Sequence, residues 1–208
     1  MKILLADDHP VVRRGLRQLL QEHQGFDVVA EVSTGQEALA YTRAHECDVV
    51  VLDISMPGMN DLETLKQLHG ERPLLPILML SIYPSEQFAI RSFRAGAAGY
   101  LCKEASPDEL VEAVGKVYGG GRYVSPEFAN RLVIESSDRP GRLGHERLSD
   151  REFQVLRALA AGRTVSEVAR QLRLSVKTIS THRANLLRKL GLRTTADLIK
   201  YALEQGLL

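Results

Sequence analysis

The chain is short of cysteine, of long apolar stretches and of net charge, and each shortage narrows what it does. Two cysteines, Cys47 and Cys102, stand far apart in 208 residues. With no signal peptide ahead of them, they fit reduced thiols better than a disulfide framework. No apolar run approaches the length that spans a bilayer, so the expectation is a soluble, cytoplasmic protein with no membrane partner. There is no internal repeat either. The formal net charge is only +1, but that near-neutrality is a cancellation. Residues 1–118 carry 11 Lys and Arg against 17 Asp and Glu, a balance of −6, and residues 146–208 carry 12 against 6, a balance of +6. An acidic front and a basic back point to different partners, with nucleic acid the natural one for the basic end.

What is present fits two modest domains, with 44% hydrophobic residues enough for real cores. Short apolar runs alternate with helical periodicity through residue 118, the pattern of a doubly wound α/β domain with five βα units. Pro10 opens the first helix, with Val12, Leu16, Leu19 and Leu20 at helical spacing. A second strand covers residues 26–32, and Thr34 with Glu37 reads as a capping box. Further helices are expected near 61–69, 85–95 and 107–118, the last opened by Ser106-Pro107. Residues 119–145 read as a linker: three glycines, a short helix from Pro126 to about Glu135, then a polar, breaker-rich segment. From residue 146 to 208 the pattern is all-helical. Capping boxes are expected at Ser149 with Glu152, Thr164 with Glu167 and Thr194 with Asp197, and Ser175 caps a further helix. Helices at about 165–171 and 176–190 joined by a tight turn are what a helix-turn-helix requires.

The acidic half carries its chemistry at strand ends. Ile3-Leu4-Leu5-Ala6 delivers Asp7 and Asp8, Val49-Val50-Val51-Leu52 delivers Asp53, Ile77-Leu78-Met79-Leu80 delivers Ser81, and Gly99-Tyr100-Leu101-Cys102 delivers Lys103. Parallel sheets gather functional groups in the crevice at their carboxyl ends. Carboxylates about 4 Å apart repel by roughly 4 kcal/mol per pair at an effective dielectric of about 20. A hard cation such as Mg²⁺, which takes oxygen ligands and keeps several waters, relieves that repulsion and leaves room for a phosphoryl oxygen. Asp53 is then a candidate nucleophile toward phosphorus, with Lys103 neutralising the transferring oxygens and Ser81 donating a hydrogen bond. Singly, a strand-end Asp is more often a helix cap and a strand-end Lys is usually solvated. The convergence of all five is what favours the functional reading.

In the basic half, the 176–190 helix has two faces. Val176, Ile179, Leu186, Leu187 and Leu190 share one, expected in the core. Lys177, Ser180, Thr181, Ala184 and Arg188 share the other, suited to a major groove, with basic ends for phosphates and short side chains for base edges. Arg183 falls near the apolar face, and an internal ion pair with Glu152 or Glu167 is expected. In the last helix, Leu198, Ile199, Ala202 and Leu203 should face the core. Tyr201 is left either for a dimer contact or for internal packing.

Residues 1–118 resemble the receiver domain of two-component response regulators. Leu5-Ala6-Asp7-Asp8-His9-Pro10, Leu52-Asp53-Ile54-Ser55-Met56-Pro57-Gly58 and Gly96-Ala97-Ala98-Gly99-Tyr100-Leu101-Cys102-Lys103 carry the match. Residues 146–208 resemble the LuxR-type helix-turn-helix domain from Leu148-Ser149 through Lys189-Leu190-Gly191, and the whole is similar to the NarL/FixJ family. The resemblance implies a flavodoxin-like receiver followed by a helix-turn-helix domain, and a transcription regulator rather than an enzyme. It implies Asp53 as phosphoacceptor for a partner sensor histidine kinase. Asp8, Asp53 and the Ser55 carbonyl would ligate Mg²⁺ directly, with Asp7 acting through water. Ser81, Tyr100 and Lys103 would form the switch, Tyr100 swinging inward after phosphorylation. Double-stranded promoter DNA would meet Lys177, Thr178, Ser180, Thr181, Arg183, Ala184, Arg188 and Lys189 on a homodimer. Asp61, Ile82 and Glu104 depart from the usual receiver pattern, where Gly, a small residue and Pro are common. Aspartyl-phosphate chemistry also serves haloacid-dehalogenase-type phosphatases, but Ser55 stands where that class needs a second carboxylate as general acid. A regulator that binds DNA without phosphorylation is the remaining alternative.

Overall fold

The computed structural model describes residues 1–54, 56, 62–81, 86–125, 129, 144–172, 174–205 and 207, without the side chains of residues 86, 87, 146 and 147. The chain divides into two compact units, Met1–Glu135 and Ser136–Leu208.

In the first unit the strands are β1 (Lys2–Ala6), β2 (Asp27–Val32), β3 (Val49–Asp53), β4 (Ile77–Ser81), β5 (Gly99–Cys102) and β6 (Tyr123–Val124). All pair in parallel, in the order β2-β1-β3-β4-β5-β6. The helices are α1 (Pro10–Glu22), α2 (Gly35–Ala44), α3 (Glu63–Glu71), α4 (Glu86–Arg94) and α5 (Pro107–Tyr118). β1 and β3 are neighbours whose chains leave in opposite directions along the sheet, which makes the crevice between their carboxyl ends the topological switch point. The strands are apolar because both faces are covered. Ile3, Leu5, Val49, Val51, Leu78, Leu80 and Leu101 pack against Leu20 of α1 and Leu110, Val114 and Val117 of α5.

Sequence reasoning did not foresee β6. It extends the sheet past residue 118, with Tyr123 buried in the same core and its N–H bonded to the Ala98 carbonyl at 3.1 Å. A second correction concerns α1, which packs through Leu16, Leu19 and Leu20 only. Its first turn is solvated, with Val12 37% and Val11 86% exposed. The capping box at α2 is displaced as well. Thr34 accepts the Glu37 N–H, but Glu37 turns back to the Ser33 N–H at 2.8 Å, one residue early. Ser106 and Glu109 close a full box on α5. The expected helix from Pro126 to Glu135 falls almost wholly outside the described residues.

The second unit holds a 3-10 turn (Gly144–Arg147) followed by α6 (Asp150–Ala160), α7 (Val165–Gln171), α8 (Val176–Leu190) and α9 (Thr195–Glu204). Reciprocal boxes open α6, α7 and α9 at Ser149, Thr164 and Thr194, and Ser175 caps α8. Gly191, at φ 70°, ends α8 in the left-handed conformation that glycine adopts without strain. Phe153, Leu156, Leu159, Val168, Ile179, Leu186, Leu198 and Ala202 are buried. Two residues expected in this core are outside it: Val176 is 51% and Leu203 62% exposed. Val176 starts its helix beyond the end of the packed stripe, and Leu203 lies a step round α9 from Leu198 and Ala202. Leu190 and Ile199 are half-buried. Tyr201 packs internally, its hydroxyl 2.8 Å from Nδ1 of the buried His145.

Candidate functional site

Main-chain bonds lock the sheet's carboxyl rim before any side chain is considered. Asp7 N–H donates to Val32, Ile54 N–H to Leu80 at 2.9 Å, and Lys103 N–H to Ser81 at 2.7 Å. On this rim Asp7 and Asp53 are buried, their side chains 0% and 1% exposed, and Lys103 is 8% exposed between them. The Lys103 ammonium lies 2.7 Å from Asp7 Oδ2 and 2.8 Å from Asp53 Oδ2. One cation thus offsets part of the charge of two buried carboxylates and leaves the rim net negative. Asp8 is a quarter exposed, its Oδ1 2.7 Å from His9 Nδ1. Ligand atoms of Asp7, Asp8, His9 and Asp53 all lie within 4.8 Å of one another. Ser81 is fully buried at the end of β4, and Tyr100 is 3% exposed on β5. Ser55, Asp61 and Ile82 lie outside the described residues.

Two residues at this rim escaped sequence reasoning. His9 donates its N–H to Asp7 Oδ1 at 2.8 Å, so both oxygens of Asp7 are engaged. Arg13 donates to the Asp7 carbonyl at 2.6 Å and lies 3.6 Å from Glu31. The available signal was position, since a helical side chain leans toward the N-terminus and Arg13 stands one turn beyond His9.

On α8, Lys177, Ser180, Thr181, Ala184, Arg188 and Lys189 are exposed, while Thr178 and Arg183 are half-buried. The Thr178 hydroxyl meets the Ser175 cap at 2.7 Å. Arg183 makes no ion pair with Glu152 or Glu167. Its Nε and Nη2 reach Thr195 Oγ1 at 2.9 and 2.7 Å, tying α8 to the first turn of α9. Lys189 takes the place expected for Arg183, with Nζ 2.6 Å from Glu152 Oε2. The reason is reach: Lys189 in the last turn of α8 arrives at α6, whereas Arg183 near mid-helix points at α9. Burial acts to raise the Glu152 pKa, but hydrogen bonds from Lys189 and Ser149 outweigh it and hold the carboxyl below its ordinary range. His182 is pushed down by burial and by Arg151.

Both halves match known families. Residues 3–115 match the response regulator receiver domain, and residues 146–202 match the bacterial regulatory proteins of the luxR family. The chain is a NarL/FixJ-family response regulator. It is 35% identical over 212 residues to the response regulator UvrY of Escherichia coli O6:H1, covering 100% of the chain and 95% of the relative. It is likewise 35% identical over 215 residues to the oxygen regulatory protein NreC of Staphylococcus carnosus, covering 100% and 99%. Among solved structures, RcsB of Salmonella enterica serovar Typhimurium, bound to promoter DNA in the presence of the phosphomimetic BeF3-, gives a TM-score of 0.69 at 28% identity, with 97% of each chain covered. The response regulator's family works by phosphorylation-dependent control of transcription and is not one of typical enzymes. No helix among the described residues is long and apolar enough to cross a membrane.

Proposed function

We propose that Asp53 is the phosphoacceptor of this regulator, loaded by a sensor histidine kinase in the cytoplasm, and that loading controls dimerisation and sequence-specific binding to promoter DNA. The observation that carries the reading is Lys103 bridging Asp53 and Asp7 inside a cluster completed by Asp8. The donor set of carboxylate oxygens fits Mg²⁺, which Asp8 and Asp53 would hold directly with the Ser55 carbonyl, and Asp7 through water. When bound, the ion supplies positive charge against the transferring phosphoryl oxygens.

An Asp53 oxygen forms the bond to phosphorus as the bond from phosphorus to the kinase's histidine nitrogen breaks. Lys103 keeps its contact with Asp7 and turns its remaining donors from the Asp53 carboxylate to a phosphoryl oxygen. The Ser81 hydroxyl, at the end of the adjacent strand, donates to another. Tyr100 is already buried, the position that the resemblance assigns to the loaded state, so the switch reads as a shift between populations rather than a rebuilt core.

At the output, Lys177, Ser180, Thr181, Ala184 and Arg188 form the face that enters the major groove of double-stranded DNA. Thr178, Arg183 and Lys189 support that face from within the domain. The experiment is incubation with acetyl phosphate and Mg²⁺, read by intact mass and by DNA affinity. The wild type gains one phosphoryl group and binds its site several-fold more tightly, while Asp53→Asn does neither. An identical response from Asp53→Asn would sink the assignment.

A further inference from the structure

We infer that Asn185 reads an adenine in the major groove and is the side chain of α8 that selects sequence through paired hydrogen bonds. The inference rests on the proposed use of α8 as the groove helix and adds a residue outside the face assigned above, together with the base it selects.

Asn185 stands one turn after Thr181 and one turn before Arg188, so helical spacing sets it on the face that both of them share. Helical side chains lean toward the N-terminus, which carries the amide over the turn of Thr181. Lys177 and Arg188 lie about 16 Å apart along the axis. A straight helix leaves a curved groove at its ends, where those two charges meet phosphates, and Asn185 lies between them. The other polar groups of the face have less to offer. The Thr181 hydroxyl donates its one proton to the Lys177 carbonyl at 3.0 Å, which leaves a lone pair and a methyl group for the groove. Thr178 is engaged with the Ser175 hydroxyl at 2.7 Å. Ala184 has no polar side-chain atom, and the Ser180 hydroxyl rotates to suit a donor or an acceptor, so it discriminates weakly. Asn185 is half-buried, and its Oδ1 accepts from Arg188 Nη2 at 3.4 Å, long for such a bond. Among the described residues its side chain makes no other hydrogen bond. Both N–H donors and a carbonyl lone pair therefore face the ligand on one planar group whose stem is already held. Adenine presents the matching pair in the major groove, with N7 accepting and the N6 amine donating. Guanine puts O6 where that amine stands, and two carbonyl oxygens then meet without a proton between them.

The test uses the full chain after treatment with acetyl phosphate and Mg²⁺, and again untreated. Wild type first selects its site from a random duplex library, and affinities are then read by fluorescence anisotropy. Exchanging the contacted adenine pair for a guanine pair lowers wild-type affinity about 5- to 150-fold. 7-Deazaadenine at that position, which removes only the N7 acceptor, weakens wild type several-fold. Asn185→Ala binds the selected site as weakly as wild type binds the guanine-substituted one, and is indifferent to both changes. Asn185→Asp keeps the shape of the side chain but has no N–H to give, so it guards against a folding defect and loses the preference for adenine as well. Wild-type affinity that ignores 7-deazaadenine at every adenine of the site, or variants that keep the wild-type preference, overturns the inference. Variants weakened equally on every sequence overturn it too and make Asn185 a phosphate contact or a structural residue. In each of these cases the sequence preference of wild type leaves the proposed function standing. If wild type selects no sequence in either state, both readings fall.

Discussion

Lys189→Met separates a strut from a DNA contact. The ammonium sits 2.6 Å from Glu152 Oε2, with the Glu152 side chain 5% exposed and that of Lys189 36% exposed. The same Glu152 oxygen accepts the Ser149 N–H at 2.8 Å, closing the capping box that starts α6. Losing Lys189 therefore leaves a buried carboxylate with its cap but without its cation. Breaking a fully buried pair costs about 3–5 kcal/mol, and an exposed pair is worth about 0–1 kcal/mol. With one partner buried and the other over a third exposed, the expected loss is about 1–3 kcal/mol. A loss of about 2 kcal/mol in a unit of this size lowers Tm by roughly 8–16 °C. Calorimetry on the full chain, following the transition of the helical unit, reads the shift. A double-mutant cycle with Glu152→Gln recovers most of it as coupling. The salt dependence of DNA binding should keep its slope, because removing a lysine that neutralises a phosphate would lower that slope by about 1. An unchanged Tm together with a slope reduced by about 1 would refute the strut and return Lys189 to the DNA interface.

Three further outcomes follow from the same structure. Because the folded Glu152 pKa lies below its unfolded value, its contribution to stability is present above about pH 4.3 and is lost as pH falls through the folded value. Acid titration of unfolding should show that loss, reduced in Glu152→Gln, and equal acid sensitivity of the two proteins would contradict the sign. Burial pushes the Cys47 thiol up to about 11, so iodoacetamide at pH 8 should modify it in urea but leave it intact in the folded chain; rapid native labelling would show the site to be open. A methyl group on Gly35 would lie 2.0 Å from Thr64 Oγ1, so Gly35→Ala should cost about 1–3 kcal/mol by forcing α2 from α3, read by urea unfolding, and a neutral result would mean the contact yields freely.

The elements that were legible in the sequence are those specified by neighbouring residues. Four apolar runs announced strands whose carboxyl ends meet at one rim, Ser149, Thr164 and Thr194 announced helix starts through boxes that close within three residues, and Ser106-Pro107 announced another. Periodicity was a weaker guide to burial. It names the residues on one face of a helix, but the partner's length decides how many are covered, which is why Val12, Val176 and Leu203 stand in solvent. β6 escaped because two residues after a glycine run carry no alternation to read, and its pairing depends on Ala98 and Gly99 being presented by β5. Contacts made by long side chains were the least legible. Arg183 with Thr195 and Lys189 with Glu152 join separate helices, and nothing local to either arginine or lysine distinguishes which acceptor it will find.

Lys103, set between Asp7 and Asp53, also bears on how the receiver keeps its carboxylates buried. The chain carries one counter-charge of its own at the end of β5, within 2.8 Å of both carboxylates, so the two buried acids do not face each other unscreened.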